Sequence, residues 1–151
     1  MDKTITDVHT DEFATFYIGD TLCGMDILRI QEINKDMKMT GVPQSPDYVK
    51  GILNLRGQIV TVIDLNQKLG LAATGSSEDD RRNIIVKSQE EHIGLLVDKI
   101  CDVVEVEREK VEPPPASIGE VQGKFFKGVY KTDNSLVGIL ELEEALKEDA
   151  A

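Results

Sequence analysis

Residues 49–70 read VKGILNLRGQIVTVIDLNQKLG, and the fold follows from how this stretch is read. Two apolar segments flank a polar interruption at Asn54, Arg56, Gly57 and Gln58. In the second segment Ile59, Thr61 and Ile63 alternate with Val60, Val62 and Asp64, which is the side-chain period of a strand. Both faces are mostly apolar and β-branched, so the strand is expected inside a sheet, covered on both sides. Gly57 supplies the positive φ of a tight reversal, and the hairpin carries Arg56 at its tip. Asp64 then opens a short helix, with Gln67 as its capping-box partner and Gly70 as its stop.

Toward the N-terminus, 13–18 and 21–26 read as a hairpin around Gly19-Asp20. The spacing of Ile27, Ile30 and Ile33 allows one helical turn. An extended 30–33 then sets Ile30 and Glu32 on one face and Gln31 and Ile33 on the other. Ser45-Pro46-Asp47 is a turn. Toward the C-terminus, 72–82 (AATGSSEDDRR) is a charged loop expected to be flexible. Hairpins follow at 83–88 with 92–97 and at 125–131 with 136–140, and 103–107 is a further strand. Pro113-Pro114-Pro115 makes a stiff connection. Residues 141–147 close the chain as a helix with Leu142, Ala145 and Leu146 on its apolar stripe. Nine or ten short strands at regular spacing predict an all-β barrel or sandwich. Gly24-Met25-Asp26 and Leu96-Val97-Asp98 form a weak internal echo, a hint of two similar lobes. Residues 1–12 and 148–151 read as tails.

The chain of 151 residues, 40% hydrophobic, holds one domain or two small lobes sharing a core. A net charge of −11 argues against nucleic acid and anionic membranes and suits basic partner surfaces. No apolar leader opens the chain, and the longest apolar run, 59–63, is too short to span a bilayer. Cys23 and Cys101 read as buried thiols of a reducing compartment rather than a disulfide framework. His9 and His92 stand apart from any nucleophile, and no metal-ligand spacing is present. Asp26, Glu32, Asp64 and Asp98 sit at strand ends, where carboxylates mostly cap turns and helices. An enzyme would need some of them to converge in a closed pocket. Arginine at a hairpin tip is commonly a solvated side chain. Asn54 and the apolar neighbours favour an interface anchor at Arg56.

Five ordered blocks carry a resemblance. They are Gly24-Met25-Asp26-Ile27 with Ile30-Gln31-Glu32-Ile33, then 43–65 around NLRG, Ile84-Ile85-Val86, Gly94 to Asp98, and Gly128 to Leu142. Together they resemble the CheW family of bacterial chemotaxis coupling proteins over about residues 13–146. One departure is Thr61, where the family usually has proline. The resemblance implies an all-β fold: two small SH3-like five-stranded β-barrels packed around a shared core, a groove between them, and a short C-terminal helix. Residues 13–147 would form this single domain. It implies a non-enzymatic adaptor with no cofactor and no metal. Such an adaptor bridges the cytoplasmic tip of methyl-accepting chemoreceptors and the regulatory domain of the CheA histidine kinase. Arg56, Ile30, Glu32 and Ile84 match positions at or near the receptor groove, and Asn54 and Val86 lie on the same wall. Kinase contacts follow only by region, on exposed strands and loops. A cytoplasmic protein recruited to membrane-associated receptor arrays is implied, monomeric alone and ring-forming beside the kinase domain of the same fold. A same-fold scaffold of a non-flagellar chemosensory-like pathway is the alternative. A fused receiver domain is not expected within 151 residues.

Overall fold

The central hairpin forms as read. β4 (Val49–Leu55) and β5 (Gln58–Asp64) pair antiparallel, with Leu55 opposite Gln58 and only Arg56 and Gly57 between them. Both turn residues have positive φ, 53° at Arg56 and 86° at Gly57. This is the primed turn whose twist matches the twist of its strands. A computed structural model describes residues 9–75 and 77–147; the parts of the expected tails at 1–8 and 148–151 lie outside the described residues.

Two five-stranded sheets make up the fold. The first has the order β11-β12-β2-β1-β8, from β1 (Thr10–Ile18), β2 (Thr21–Asp26), β8 (Lys99–Glu107), β11 (Phe126–Lys131) and β12 (Leu136–Leu140). The second has the order β3-β6-β7-β5-β4, adding β3 (Ile30–Asn34), β6 (Arg82–Ser88) and β7 (Glu91–Val97). β1 starts three positions earlier than the apolar run suggested, because Thr10 to Glu12 pair with the end of β8. His92 lies on β7, an internal strand, not on an edge. β9 (Ser117–Ile118) and β10 (Val121–Gln122) form a small ribbon between β8 and β11.

Each sheet closes on itself through one bridge. Glu112, just past β8, exchanges backbone hydrogen bonds of 2.9 and 2.8 Å with Val129 of β11. Thr40, just past β3, exchanges bonds of 3.0 and 2.8 Å with Ile52 of β4. The open edges of each sheet meet there, which removes the edge-strand liability. Both closures depend on a glycine. A Cβ on Gly51 would lie 2.6 Å from the Thr40 carbonyl oxygen, and one on Gly128 would lie 2.6 Å from that of Glu112.

The two barrels are two copies of one strand arrangement, exchanged between halves of the chain. β1, β2, β8, β11 and β12 take the places of β6, β7, β3, β4 and β5, including one parallel pair in each sheet. The sequence echo is therefore real but misaligned. Gly24 and Gly94 correspond, each on the returning strand of its hairpin, whereas the expected match set Gly24 against Leu96. Because the chain crosses between barrels, the largest apolar cluster is shared. Phe16 and Met25 of the first sheet meet Ile84, Val86, Leu95 and Val97 of the second. α1 (Leu65–Lys68) and α2 (Leu142–Leu146) add Leu65 and Leu142 to the same cluster. Each large side chain fully buried there contributes about 1.5–3 kcal/mol. Separate small clusters fill the barrels, Phe13, Val106 and Ile139 in the first and Leu53, Val60, Val62, Ile85 and Leu96 in the second.

Candidate partner-docking site

The Arg56 side chain is 76% exposed at the β4–β5 tip, and its Nη2 donates to Glu32 Oε1 on β3. The pair spans the seam that Thr40 and Ile52 close. Asn34 Nδ2 donates to the other Glu32 oxygen at 3.2 Å. The Arg56 guanidinium first, and the Asn34 amide second, hold the Glu32 carboxyl below the usual carboxylate range. Asn54 braces the turn from below, its Oδ1 accepting the Gly57 N–H at 3.0 Å. Asparagine suits that position because its short amide reaches a backbone donor within the turn.

The other expected residues separate. A bulge at Gln31 adds one residue to β3, so Ile30 stands opposite Val86 and Glu32 opposite Ile85. Val86 belongs to the shared core and Ile85 to the barrel interior. Ile30 and Glu32 thus lie on opposite faces, which corrects the simple alternation. Ile30 is half-buried against the shared core. Ile84 and Val86 have no exposed surface at all. They cannot line a groove by side-chain contact; they support Ile30 from behind. The apolar side chains that do reach solvent here are Ile33, 40% exposed beside Glu32, and Ile59, 57% exposed opposite Asn54. Sequence reading passed over both. An internal strand predicts Ile59 covered, yet it sits one residue from the turn, where the cover ends. Simple alternation sets Ile33 on the face opposite Ile30, and the bulge at Gln31 returns it to the Ile30 face.

The strand-end carboxylates are spent on local structure. Asp26 Oδ1 accepts from the Leu28 N–H at 2.9 Å and caps the 3-10 turn Ile27–Arg29. Asp64 caps α1 through the Asn66 and Gln67 N–H groups and also takes the Thr74 N–H and hydroxyl, at 2.9 and 2.8 Å. This ties the start of the 72–82 segment to the barrel. Gln67 does not complete the capping box: the Asp64 N–H donates to the Tyr48 carbonyl at 2.7 Å instead. Asp98 accepts from the Gly19 N–H at 2.6 Å and from Asn66 Nδ2 at 3.1 Å. Both cysteines are free thiols; Cys23 is buried, which pushes its thiol far up, and Cys101 is only half-buried. Among the described residues no three His, Cys, Asp or Glu side chains gather as metal ligands, and no helix is long and apolar enough to cross a membrane. What the seam offers is an exposed, oriented guanidinium beside a half-buried carboxylate, with the exposed Ile33 and Ile59 on the outer face of the same sheet. That arrangement suits recognition of a protein surface.

Residues 12–150 match the CheW-like domain family. The chain is 33% identical over 138 residues to a Helicobacter pylori protein named "Chemotaxis protein CheW", covering 91% of this chain and 82% of that one. A Thermotoga maritima protein of the same name is 28% identical over 148 residues, covering 97% and 95%. The crystal structure of scaffolding protein TtCheW from Thermoanaerobacter tengcongensis is similar with a TM-score of 0.83 at 32% identity, covering 95% of this chain and 92% of that one.

Proposed function

The chain belongs to the CheW-like domain family, and from that membership we propose that it acts without catalysis as a chemotaxis scaffold coupling methyl-accepting chemoreceptors to the CheA histidine kinase. The receptor docks at the seam of the second barrel. Arg56 and Glu32 fix its register at the barrel edge by charge-assisted hydrogen bonds, and Ile33, Ile59 and the exposed part of Ile30, which share the outer face of the sheet, meet its apolar side. Asn54 holds the turn that presents Arg56. Ile84 and Val86 serve as core behind Ile30. The observation that carries this reading is Arg56 itself: a non-glycine residue in a left-handed turn conformation, largely exposed, its guanidinium oriented by Glu32.

The kinase docks on the first barrel. Val103 and Leu136, 55% and 39% exposed, occupy there the places that Ile33 and Ile59 occupy in the second. One chain thus carries two related faces for two partners. Recruitment to receptor arrays follows from holding both.

The test is retention of partners from the native lysate by the natural chain, Arg56→Glu and Val103→Lys. Arg56→Glu is expected to weaken receptor retention by about 2 kcal/mol or more through charge reversal, with the kinase still held. Val103→Lys is expected to do the reverse. Unchanged receptor retention by a folded Arg56→Glu protein rejects the seam as the receptor site. Failure of the natural chain to retain either partner rejects the coupling role.

A further inference from the structure

The two barrels correspond strand for strand, yet their equivalent ends differ. In the second barrel the chain leaving β3 crosses the mouth, and Met37 and Met39 pack onto the interior cluster. Asn83, fully buried, pins that crossing by donating to Asn34 Oδ1 at 3.2 Å and to the Asp36 carbonyl at 2.8 Å. In the first barrel the crossing chain places Val111 where Met39 would be, one residue before the closing bridge in each case. The shorter side chain leaves the mouth open. A cavity of about 290 Å³ remains there, its apolar lining supplied by Phe13, Val111 and Ile139 of the first barrel and by Met25, Leu140 and Leu142 of the shared core.

The rim of this cavity reverses the sign of the molecule. Arg29, Arg108 and Lys127 line it against Asp11 and Asp26, in a chain of net charge −11. Arg108 is engaged with Asp11 through two 2.8 Å bonds, and Arg29 with Glu143 at 2.8 Å. Lys127 has no ion pair among the described residues. Asp11 also feels its charge, but of the three rim cations it alone has no hydrogen bond to a carboxylate among the described residues. Asp26, at the end of β2, is separated from Lys127 on β11 by the whole of β12. An anion at Lys127 shares the rim with Asp26 and with Asp11, whose charge Arg108 compensates through its two hydrogen bonds.

We propose that the open mouth of the first barrel binds a small amphipathic carboxylate, its apolar part between Phe13, Val111 and Ile139 and its carboxylate on Lys127. An apolar cavity with a few placed polar groups at a barrel mouth is the usual form of a small-ligand site. The volume admits on the order of ten non-hydrogen atoms at roughly 30 Å³ each. Neither Val103 and Leu136 nor Arg56 and Glu32 line this cavity, so its ligand is tested apart from the partner-retention variants.

The probe is 4-phenylbutyrate, with 4-phenylbutylamine as the charge-reversed control, titrated into the full-length isotope-labelled protein by NMR. Saturable shifts confined to Phe13, Met25, Lys127 and Ile139 are expected for the carboxylate. Lys127→Glu, on an exposed side chain, should weaken binding about fivefold or more. Val111→Met should fill the cavity and abolish binding while Lys127→Glu reports independently of any packing change. Absence of saturation up to about 10 mM, equal binding of the amine, or shifts centred elsewhere would overturn the proposal.

Discussion

Arg56 occupies a backbone conformation that favours glycine or asparagine. Its φ of 53° costs an ordinary L-residue roughly 1–2 kcal/mol. The ion pair with Glu32 returns little of that, because the Arg56 side chain is 76% exposed and surface pairs contribute only about 0–1 kcal/mol. A turn selected for stability alone would read Asn-Gly. The arginine is therefore better explained by what it presents than by what it holds together. Arg56→Asn separates the two roles. It should leave the urea midpoint unchanged or raise stability by up to about 1 kcal/mol, while receptor retention falls as it does in Arg56→Glu. A protein that is equally stable and still holds receptor would leave the arginine without a docking role.

At the scale of elements, the hairpins were legible and their joins were not. β1–β2, β4–β5 and β11–β12 follow from apolar runs turned at Gly19-Asp20, Gly57 and Asp133-Asn134, while β6–β7 turns at Gln89-Glu90 and is legible from its two apolar runs alone. The bulges leave no such record. The extra residue at Gln31 reverses a face without changing composition, and that single shift misplaced both Glu32 and Ile33. Burial of Ile84 and Val86 was equally invisible, because it depends on the first barrel packing against β6 from the far half of the chain. The closures hide in two glycines that sequence reading passed over. Gly128→Ala brings a methyl to 2.6 Å from both the Glu112 carbonyl oxygen and Val111 Cγ1. The backbone bridge cannot yield as a flexible side chain could. A loss of about 1–3 kcal/mol is expected in urea unfolding, and hydrogen exchange should quicken first at Glu112 and Val129. Gly51→Ala should act likewise at Thr40 and Ile52, with added strain from its φ of 151°. Wild-type protection at those amides would mean that the bridges do not close the barrels.

For the whole molecule, long-range ion pairs add to apolar contact, one within each barrel and one where the chain crosses between them. Arg108 and Asp11 join the end of β8 to the start of β1. Arg56 and Glu32 join the seam of the second barrel. Arg29, in the turn where the chain first crosses between barrels, holds Glu143 of α2, whose other oxygen accepts from Ser88 at 2.9 Å. In each case the arginine is the main cause that lowers the carboxyl below its ordinary value, 3.8 for Asp11 and 4.5 for Glu32 and Glu143. The native state keeps these groups ionised over a range where the unfolded chain has already taken up protons. The unfolded state binds more protons there, so stability rises with pH through that range and is lost as pH falls through the lowered values. The contribution is fully present above the ordinary carboxylate values and flat from about pH 6 to 8. Urea midpoints measured from about pH 7 down to 3.5 should therefore hold steady and then drop below about 4.5. The triple variant Asp11→Asn, Glu32→Gln, Glu143→Gln should start lower at neutral pH and fall less steeply, its curve converging on that of the natural chain in acid. Two curves that stay parallel throughout would place the acid sensitivity in the other carboxylates and leave these three pairs without a share in the stability of the fold.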